Sequence, residues 1–223
     1  MSAAQDVFDS SNIEKLGEYH STIMAEICEL LDSSSRMLAK AALPLGRGSR
    51  RYLESACLSI RRVCEYLAVA CVFAHHWDGH DGPNLLAWSP KDLLSSVATL
   101  SDHPTPAPLN AMNGDNAFVP TALPLGVAQL VKLYGQCSSL IHVGRPDRII
   151  QQTIPPFDLA KLNKSVSELS RLAKAHVIML PTIQRVVIWD GTNRKALVAE
   201  APGEGTFDGA GLTELRLSLY DDA

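Results

Sequence analysis

Aromatic residues are scarce in this sequence, where they make up 6% of 223 positions although 46% are hydrophobic. We therefore expect a mostly aliphatic core without the aromatic platform on which single-stranded nucleic acids stack. A strong positive charge is also lacking, because 24 acidic and 20 basic residues give a net charge of −4. This balance argues against broad, non-specific coating of nucleic acid.

Long apolar runs are absent as well. The most apolar stretch, 67–74, is far shorter than the ~18 residues of a membrane span. Residues 1–11 are polar and acidic, unlike a signal peptide. The five cysteines are an odd number spread over predicted helices, which is typical of reduced thiols that pack as hydrophobes. The sequence thus predicts a cytoplasmic protein that has no membrane partner.

Apolar residues recur at helical spacing in four long segments. The pattern predicts helices over 12–41, 49–78, 121–143 and 158–180. The first two are separated by a short turn, 43–48, so they should pack as an antiparallel pair. The predicted fold is mainly α: a four-helix, up-and-down antiparallel bundle that occupies residues 1–181.

Residues 182–223 follow a different pattern. A β-branched run at 186–189, a turn signal at 190–193 and alternation around 215–219 predict a small C-terminal β-hairpin or three-stranded element. Because so small a sheet rarely stands alone, we expect it on the bundle or at a dimer interface.

The region between the second and third helices is irregular in sequence. A short helix is predicted over 91–100, where Ser89 and Pro90 supply its start. The stretch 104–120 is rich in proline, asparagine and glycine, and it predicts a surface loop.

Charge is segregated along the chain. Residues 1–35 contain seven acidic residues and one lysine, whereas residues 36–62 contain seven basic residues and one glutamate. One interpretation is an acidic first helix beside a basic second one. The other is a local anion site in an acidic protein, formed by Arg47, Arg50, Arg51, Arg61 and Arg62.

Two groups of residues have metal-ligand chemistry. Cys57, Cys64 and Cys71 are seven apart, or ~10.5 Å along a helix, too far for neighbouring thiolates to share one zinc with ~2.3 Å bonds. We interpret them as core residues. His76 and His80 lie four apart near aspartates, but a polar helix end explains the run better than a metal site. No metal or cofactor is predicted.

The most suggestive segment is a polar column on the third helix. Tyr134, Ser138 and His142 follow one another at spacings of four on an otherwise apolar stripe. Buried polar groups need partners, and the second helix offers them in the segment Arg61-Arg62-Val-Cys-Glu65.

This column has two interpretations. It is either a structural network that joins two helices, or a site in which His142 is the general acid or base. In the second case the catalytic residues are His142, Glu65, which holds the imidazole, and Arg62. Phosphate or substrate is then bound by Arg61, Tyr134, Ser138 and Arg145.

Over about residues 12–180 the sequence resembles HEPN-like bacterial proteins. The resemblance lies in the order of three features: a long helix, then Arg-Arg-x-x-Glu at 61–65, then Tyr-x-x-x-Ser-x-x-x-His at 134–142. The resemblance implies a helical bundle, dimerisation, and a role in RNA cleavage, toxin–antitoxin pairs or phage defence. The Arg-x4-His spacing of that group occurs at Arg171 and His176, but His176 belongs to the apolar stripe. A buried, hydrogen-bonded histidine explains it better.

Two functional hypotheses result. The first is an RNA- or nucleotide-directed effector that uses His142 with Arg62, Arg145 and Glu65. The second is a non-enzymatic interaction module that forms a homo-oligomer or binds a protein partner, with a structural polar column.

Overall fold

The computed structural model describes residues 13–43, 48–77, 92–93, 95, 105–111, 117–120, 126–141, 156–180, 185–200 and 215–216. Its long helices are α1 (Ile13–Ala41), α2 (Gly48–Trp77), α3 (Val127–Ile141) and α4 (Pro156–Lys174). The strands are β1 (Ala107–Ala111), β2 (Ala117–Pro120), β3 (Ala175–Leu180), β4 (Arg185–Asp190), β5 (Lys195–Glu200) and β6 (Leu215–Arg216). The predicted class, a helical bundle with a small β element, is confirmed.

Helices α1 and α2 form an antiparallel hairpin. The rings of Tyr19 and Phe73 are 6.1 Å apart between centroids, and Lys40 Nζ lies 5.5 Å from the centre of the Tyr52 ring. In both pairs the two residue numbers have the same sum, so one antiparallel register holds along the hairpin. Of the helices that the structure describes, none is long and apolar enough to cross a membrane.

The main core lies where the apolar faces of the helices meet one face of the sheet. Helix α2 packs between α1 and α3, while α1 also contacts α4 and β5. The predicted cysteine stripe is confirmed as part of this core, because Cys57, Cys64 and Cys71 are fully buried. The core is largely aliphatic, and Trp189 is its one fully buried large aromatic side chain among the residues described.

Six strands form one antiparallel sheet in the order β5-β4-β3-β1-β2-β6. The predicted hairpin is confirmed in β4 and β5, which pair from Asp190 opposite Lys195 to Arg185 opposite Glu200. The sheet is larger than predicted because it also takes in β1, β2 and β3. The predicted domain boundary at residue 181 falls between β3 and β4, which are paired.

Helix α4 passes into β3 without a connecting residue, and tertiary donors satisfy its last carbonyl groups. His176 Nδ1 donates to Leu172 O at 2.8 Å. Trp189 Nε1 donates to Ala173 O at 2.8 Å, and the backbone N–H of Gly191 donates to Lys174 O at 2.8 Å. Terminal helix carbonyls have no partner within the helix, so these three contacts form a cap built from the sheet. We call them the α4 cap.

Helix α1 lies along the outer edge of β5. The backbone N–H of Ala196 donates to Ser21 Oγ at 2.8 Å, and that hydroxyl donates to Gly17 O at 2.7 Å. A Cβ placed on Gly17 would lie 3.3 Å from Ala196 O, so the glycine permits this close approach.

Two local predictions are wrong. Residues 107–111 and 117–120, expected within a surface loop, are β1 and β2, because pairing with each other and with β3 overrides their local turn signals. The fourth helix ends at Lys174 rather than Leu180. The segment 175–180 fits both helical and strand spacing, and full-length pairing with β4 decides for the strand.

Gly191 provides a test of the α4 cap. A Cβ at this position would clash with Ala173 O and lie 2.7 Å from Lys174 O, both backbone atoms. We expect Gly191→Ala to lower the free energy of unfolding by at least ~2 kcal/mol, because backbone must move and the cap is lost. Chemical denaturation measures the change.

Gly135 is the matched control, because a Cβ there meets nothing within 4 Å and the residue is exposed in α3. Gly135→Ala should stabilise by roughly 0.5–1 kcal/mol through helix propensity. Equal effects of the two substitutions would contradict the account of the cap.

Candidate functional site

The predicted site lies between α2 and α3 as far as the structure describes it. Arg61, Arg62 and Glu65 are on α2, and Tyr134 and Ser138 are on α3. His142 and Arg145 lie outside the described residues, as do His80 and Arg47.

Arg61 and Tyr134 join the two helices directly. Arg61 Nη2 donates to the Tyr134 hydroxyl at 2.8 Å, and the guanidinium carbon lies 4.8 Å from the centre of the same ring. Glu65 Oε1 is 3.9 Å from Arg61 Nη2, one turn along α2. Hydrogen bond, cation–π contact and ion pair therefore hold one guanidinium in a single place.

The other predicted residues are differently placed. The Ser138 hydroxyl donates to Tyr134 O at 2.8 Å, so it is bonded to its own helix. Arg62 is exposed, whereas Arg61 and Glu65 are about four-fifths buried. We call Arg61, Glu65, Tyr134 and Ser138 the Arg61 cluster. Within the described residues Arg61 Nε has no hydrogen-bond partner although it is buried, which costs roughly 1–3 kcal/mol.

Buried thiols lie beside the Arg61 cluster. The Cys57 and Cys137 thiols are hydrogen-bonded across the α2–α3 contact, and this bond together with burial raises the pKa of Cys137 far above its usual value. Burial raises the pKa of Cys64 to about 12. The thiols of Cys64 and Cys137 are therefore protonated near neutral pH, unlike nucleophilic or metal-binding cysteines.

A second polar contact, missed by the sequence analysis, joins α1 to β3. His20 Nε2 and His176 Nε2 are 2.9 Å apart, their rings are nearly edge-on, and both side chains are buried. His20 falls on the buried face of α1 between Leu16 and Met24, at spacings of four. That spacing indicates that His20 is buried, but it does not identify its partner.

The contacts of His176 define the tautomers of both rings. A carbonyl oxygen only accepts, so His176 Nδ1 carries the proton that it donates to Leu172 O. The neutral ring then accepts at Nε2, and His20 Nε2 is the donor. Burial lowers the pKa of His176 to about 4, and burial together with His176 lowers that of His20 well below its usual value.

The expectation for His176 is thus confirmed: it is buried and hydrogen-bonded. Arg171 is exposed on α4, while His176 is on β3, so the two do not share a helix. The pair cannot form the Arg-x4-His arrangement of a helical ribonuclease site.

The polar end of α2 holds His75, which is buried, and His76, which is half-buried. His80, which the sequence analysis paired with His76, and the nearby aspartates Asp78 and Asp81 are outside the described residues. Across the part of the chain that the structure describes, no group of three or more His, Cys, Asp or Glu side chains could hold a metal ion.

Comparison of the chain with protein-family models, with curated proteins and with solved structures finds no match.

The His20–His176 pair predicts an acid-sensitive fold. Both folded pKa values are depressed, so stability is full above pH 6.5 and is lost as the unfolded state takes up protons below it. Between pH 6.5 and about 4, His176 alone should lower the free energy of unfolding by about 3 kcal/mol. Denaturation midpoints at several pH values measure it.

His176→Gln removes one titrating ring and should flatten this pH dependence, although it lowers stability at pH 7. His76→Gln replaces a half-buried histidine outside the pair and is the control for the substitution itself. Equal slopes for wild type and His176→Gln between pH 6.5 and 5 would contradict the assignment.

Thiol reactivity tests the burial of the cysteines. Cys28 is half-buried and the other four are buried, so an aromatic disulfide reagent should modify one thiol in the native protein and five in denaturant. That reaction should be slow, because burial raises the pKa of Cys28. Cys28→Ser should remove it and Cys71→Ser should not. A second thiol that reacts as fast in the native protein would contradict the structure.

Proposed function

We propose that the protein is a non-enzymatic interaction module, in which the Arg61 cluster joins α2 to α3 rather than performing chemistry. The observation that carries the proposal is the commitment of Arg61. Its Nη2 donates to Tyr134, its guanidinium carbon lies 4.8 Å from the centre of the same ring, and Glu65 forms an ion pair with it.

The neighbouring groups support a structural role. The Ser138 hydroxyl is bonded to its own helix, and the raised pKa values of the Cys64 and Cys137 thiols keep them protonated. Catalytic groups, in contrast, present a free donor, acceptor or nucleophile toward a substrate. Among the described residues of the cluster we find no free nucleophile, and the one donor without a partner, Arg61 Nε, is buried rather than presented to a substrate.

An RNA- or nucleotide-directed effector, in the toxin–antitoxin or phage-defence setting that the HEPN-like resemblance implies, is the second candidate. One observation favours it: Arg51 and Arg62 are exposed on α2, where guanidinium groups could contact phosphate. In that case His142, Arg145 and the exposed arginines would act together.

Tyr134→Phe tests the structural role of the cluster. The substitution keeps the ring under the guanidinium but removes the acceptor of Arg61 Nη2, so we expect a loss of about 1–2 kcal/mol in the free energy of unfolding. Ser139→Ala, an exposed position on the same helix, should change it by less than ~0.5 kcal/mol.

A second assay incubates wild type and His142→Ala with a mixed RNA pool, which wild type should leave uncut. Cleavage by wild type that is lost in His142→Ala at an unchanged melting temperature would overturn the proposal in favour of the effector. Retention of full stability in Tyr134→Phe would contradict the structural role assigned to the cluster.

A further inference from the structure

The α2 arginines of the predicted anion site separate into two kinds in the structure. Arg50 forms an ion pair with Glu54, 2.8 Å away, and Arg61 is held within the Arg61 cluster. Arg51 and Arg62 are exposed, and among the described residues neither takes part in an ion pair. These two guanidinium groups are therefore available to a partner.

Arg51 and Arg62 lie on one exposed line of α2, with Ser55 and Leu58 between them. All four side chains are exposed, and Leu58 keeps 48% of its surface accessible to water. At about 100° per residue they fall within roughly 60° of one another around the helix, and the line is about 16.5 Å long. We call these four residues the α2 stripe.

The α2 stripe is exposed because of its position on the helix. Leu53 and Ile60 lie on the opposite side of α2 and are buried in the core. Helix α1 contacts one flank of α2 at Tyr52, and α3 contacts the other at Arg61. Farther along the line of the stripe, Val69 is half-buried. The open part is therefore confined to about the first four turns of α2.

The spacing of the α2 stripe is that of a helix-packing seam. Its residues follow one another at intervals of four, three and four, which are the a/d intervals of a heptad repeat. These intervals keep the side chains on a line that a facing helix can follow, and the small side chain of Ser55 permits a close approach. The partner element that fits this line is a helix.

The composition of the α2 stripe favours a protein over a nucleic acid. Arginine is enriched at the energetic centres of protein interfaces, and an exposed leucine is stabilised by burial against another apolar side chain. The stripe has no aromatic residue on which a base could stack. Guanidinium groups on either side of a leucine instead match carboxylates on either side of an apolar patch.

The geometry also gives the pattern expected in the partner. To reach Arg51 and Arg62 together, carboxylates on a facing helix must be about eleven residues, or three turns, apart. Apolar residues between them then contact Leu58. A contact about 22 Å long and about 10 Å wide buries roughly 450 Å² in total, well below the ~1,200 Å² of a stable interface. Binding to the stripe is therefore weak and reversible.

We infer that the α2 stripe binds an acidic amphipathic helix of another protein. This inference rests on the proposed function, because it names the chemistry of the partner that the interaction module recognises.

Selection from a displayed library of random peptides of about 18 residues, or five turns, tests the inference with the full-length protein. The selected peptides should carry Asp or Glu about eleven residues apart, with apolar residues between them. Arg51→Glu and Arg62→Glu should each weaken their binding about tenfold at low salt, because repulsion replaces attraction. Leu58→Ala should weaken it about fivefold through lost apolar burial.

The three substituted positions are exposed, so the melting temperature of each variant should stay that of wild type. Arg171→Glu, an exposed arginine on α4, is the matched control and should leave peptide binding unchanged. Charge exchange gives a second check: lysine in place of the peptide carboxylate that faces Arg62 should restore binding to the Arg62→Glu protein.

The inference is overturned if no peptide is selected, if the selected peptides lack carboxylates, or if they bind all the variants equally well. Binding of the mixed RNA pool that is lost in Arg62→Glu would assign the stripe to phosphate and also overturn it. A wild-type dimer that Arg62→Glu dissociates would do the same, because a second copy would then occupy the stripe. Since none of these results is cleavage of RNA, failure here is distinguishable from failure of the non-enzymatic function.

Discussion

The end of α4 is the point on which the rest of the structure depends. A helix that becomes a strand within one residue leaves terminal carbonyl groups that no loop can reach, and unsatisfied buried carbonyls are costly. Here His176 and Trp189 supply side-chain donors and Gly191 supplies a backbone donor. Because these donors come from β3, β4 and the turn after β4, the helix can end there only when the sheet is formed. Helix and sheet therefore form one cooperative unit.

The same junction explains which parts of the fold could be predicted from sequence. The long, amphipathic helices α1 and α2 repeat their apolar residues over many turns, so their periodicity is decisive without tertiary information. Residues 175–180 fit both helical and strand spacing, and pairing with β4, a separate segment, makes them a strand. For β1, Pro108 and Asn110 signal a loop locally, and pairing with β2 and β3 overrides that signal.

The candidate site was partly predictable for a related reason. Tyr134 stands out as a polar residue on an apolar stripe, and a polar residue there must find a partner on the facing helix. The structure places it against Arg61, one of the residues predicted from α2. Sequence could not tell which guanidinium would turn inward, because Arg61 and Arg62 are adjacent and the rotation of α2 against α3 decides between them. The partnership of His20 with His176 joins segments 156 residues apart and has no local signal.

Ser21 has a consequence for the behaviour of the protein at high concentration. Strand β5 is the last strand on its side of the sheet, where an unpaired N–H would invite another chain to add a strand. By accepting the N–H of Ala196, Ser21 places α1 over that edge. Addition of a strand at Ala196 would therefore first require α1 to detach.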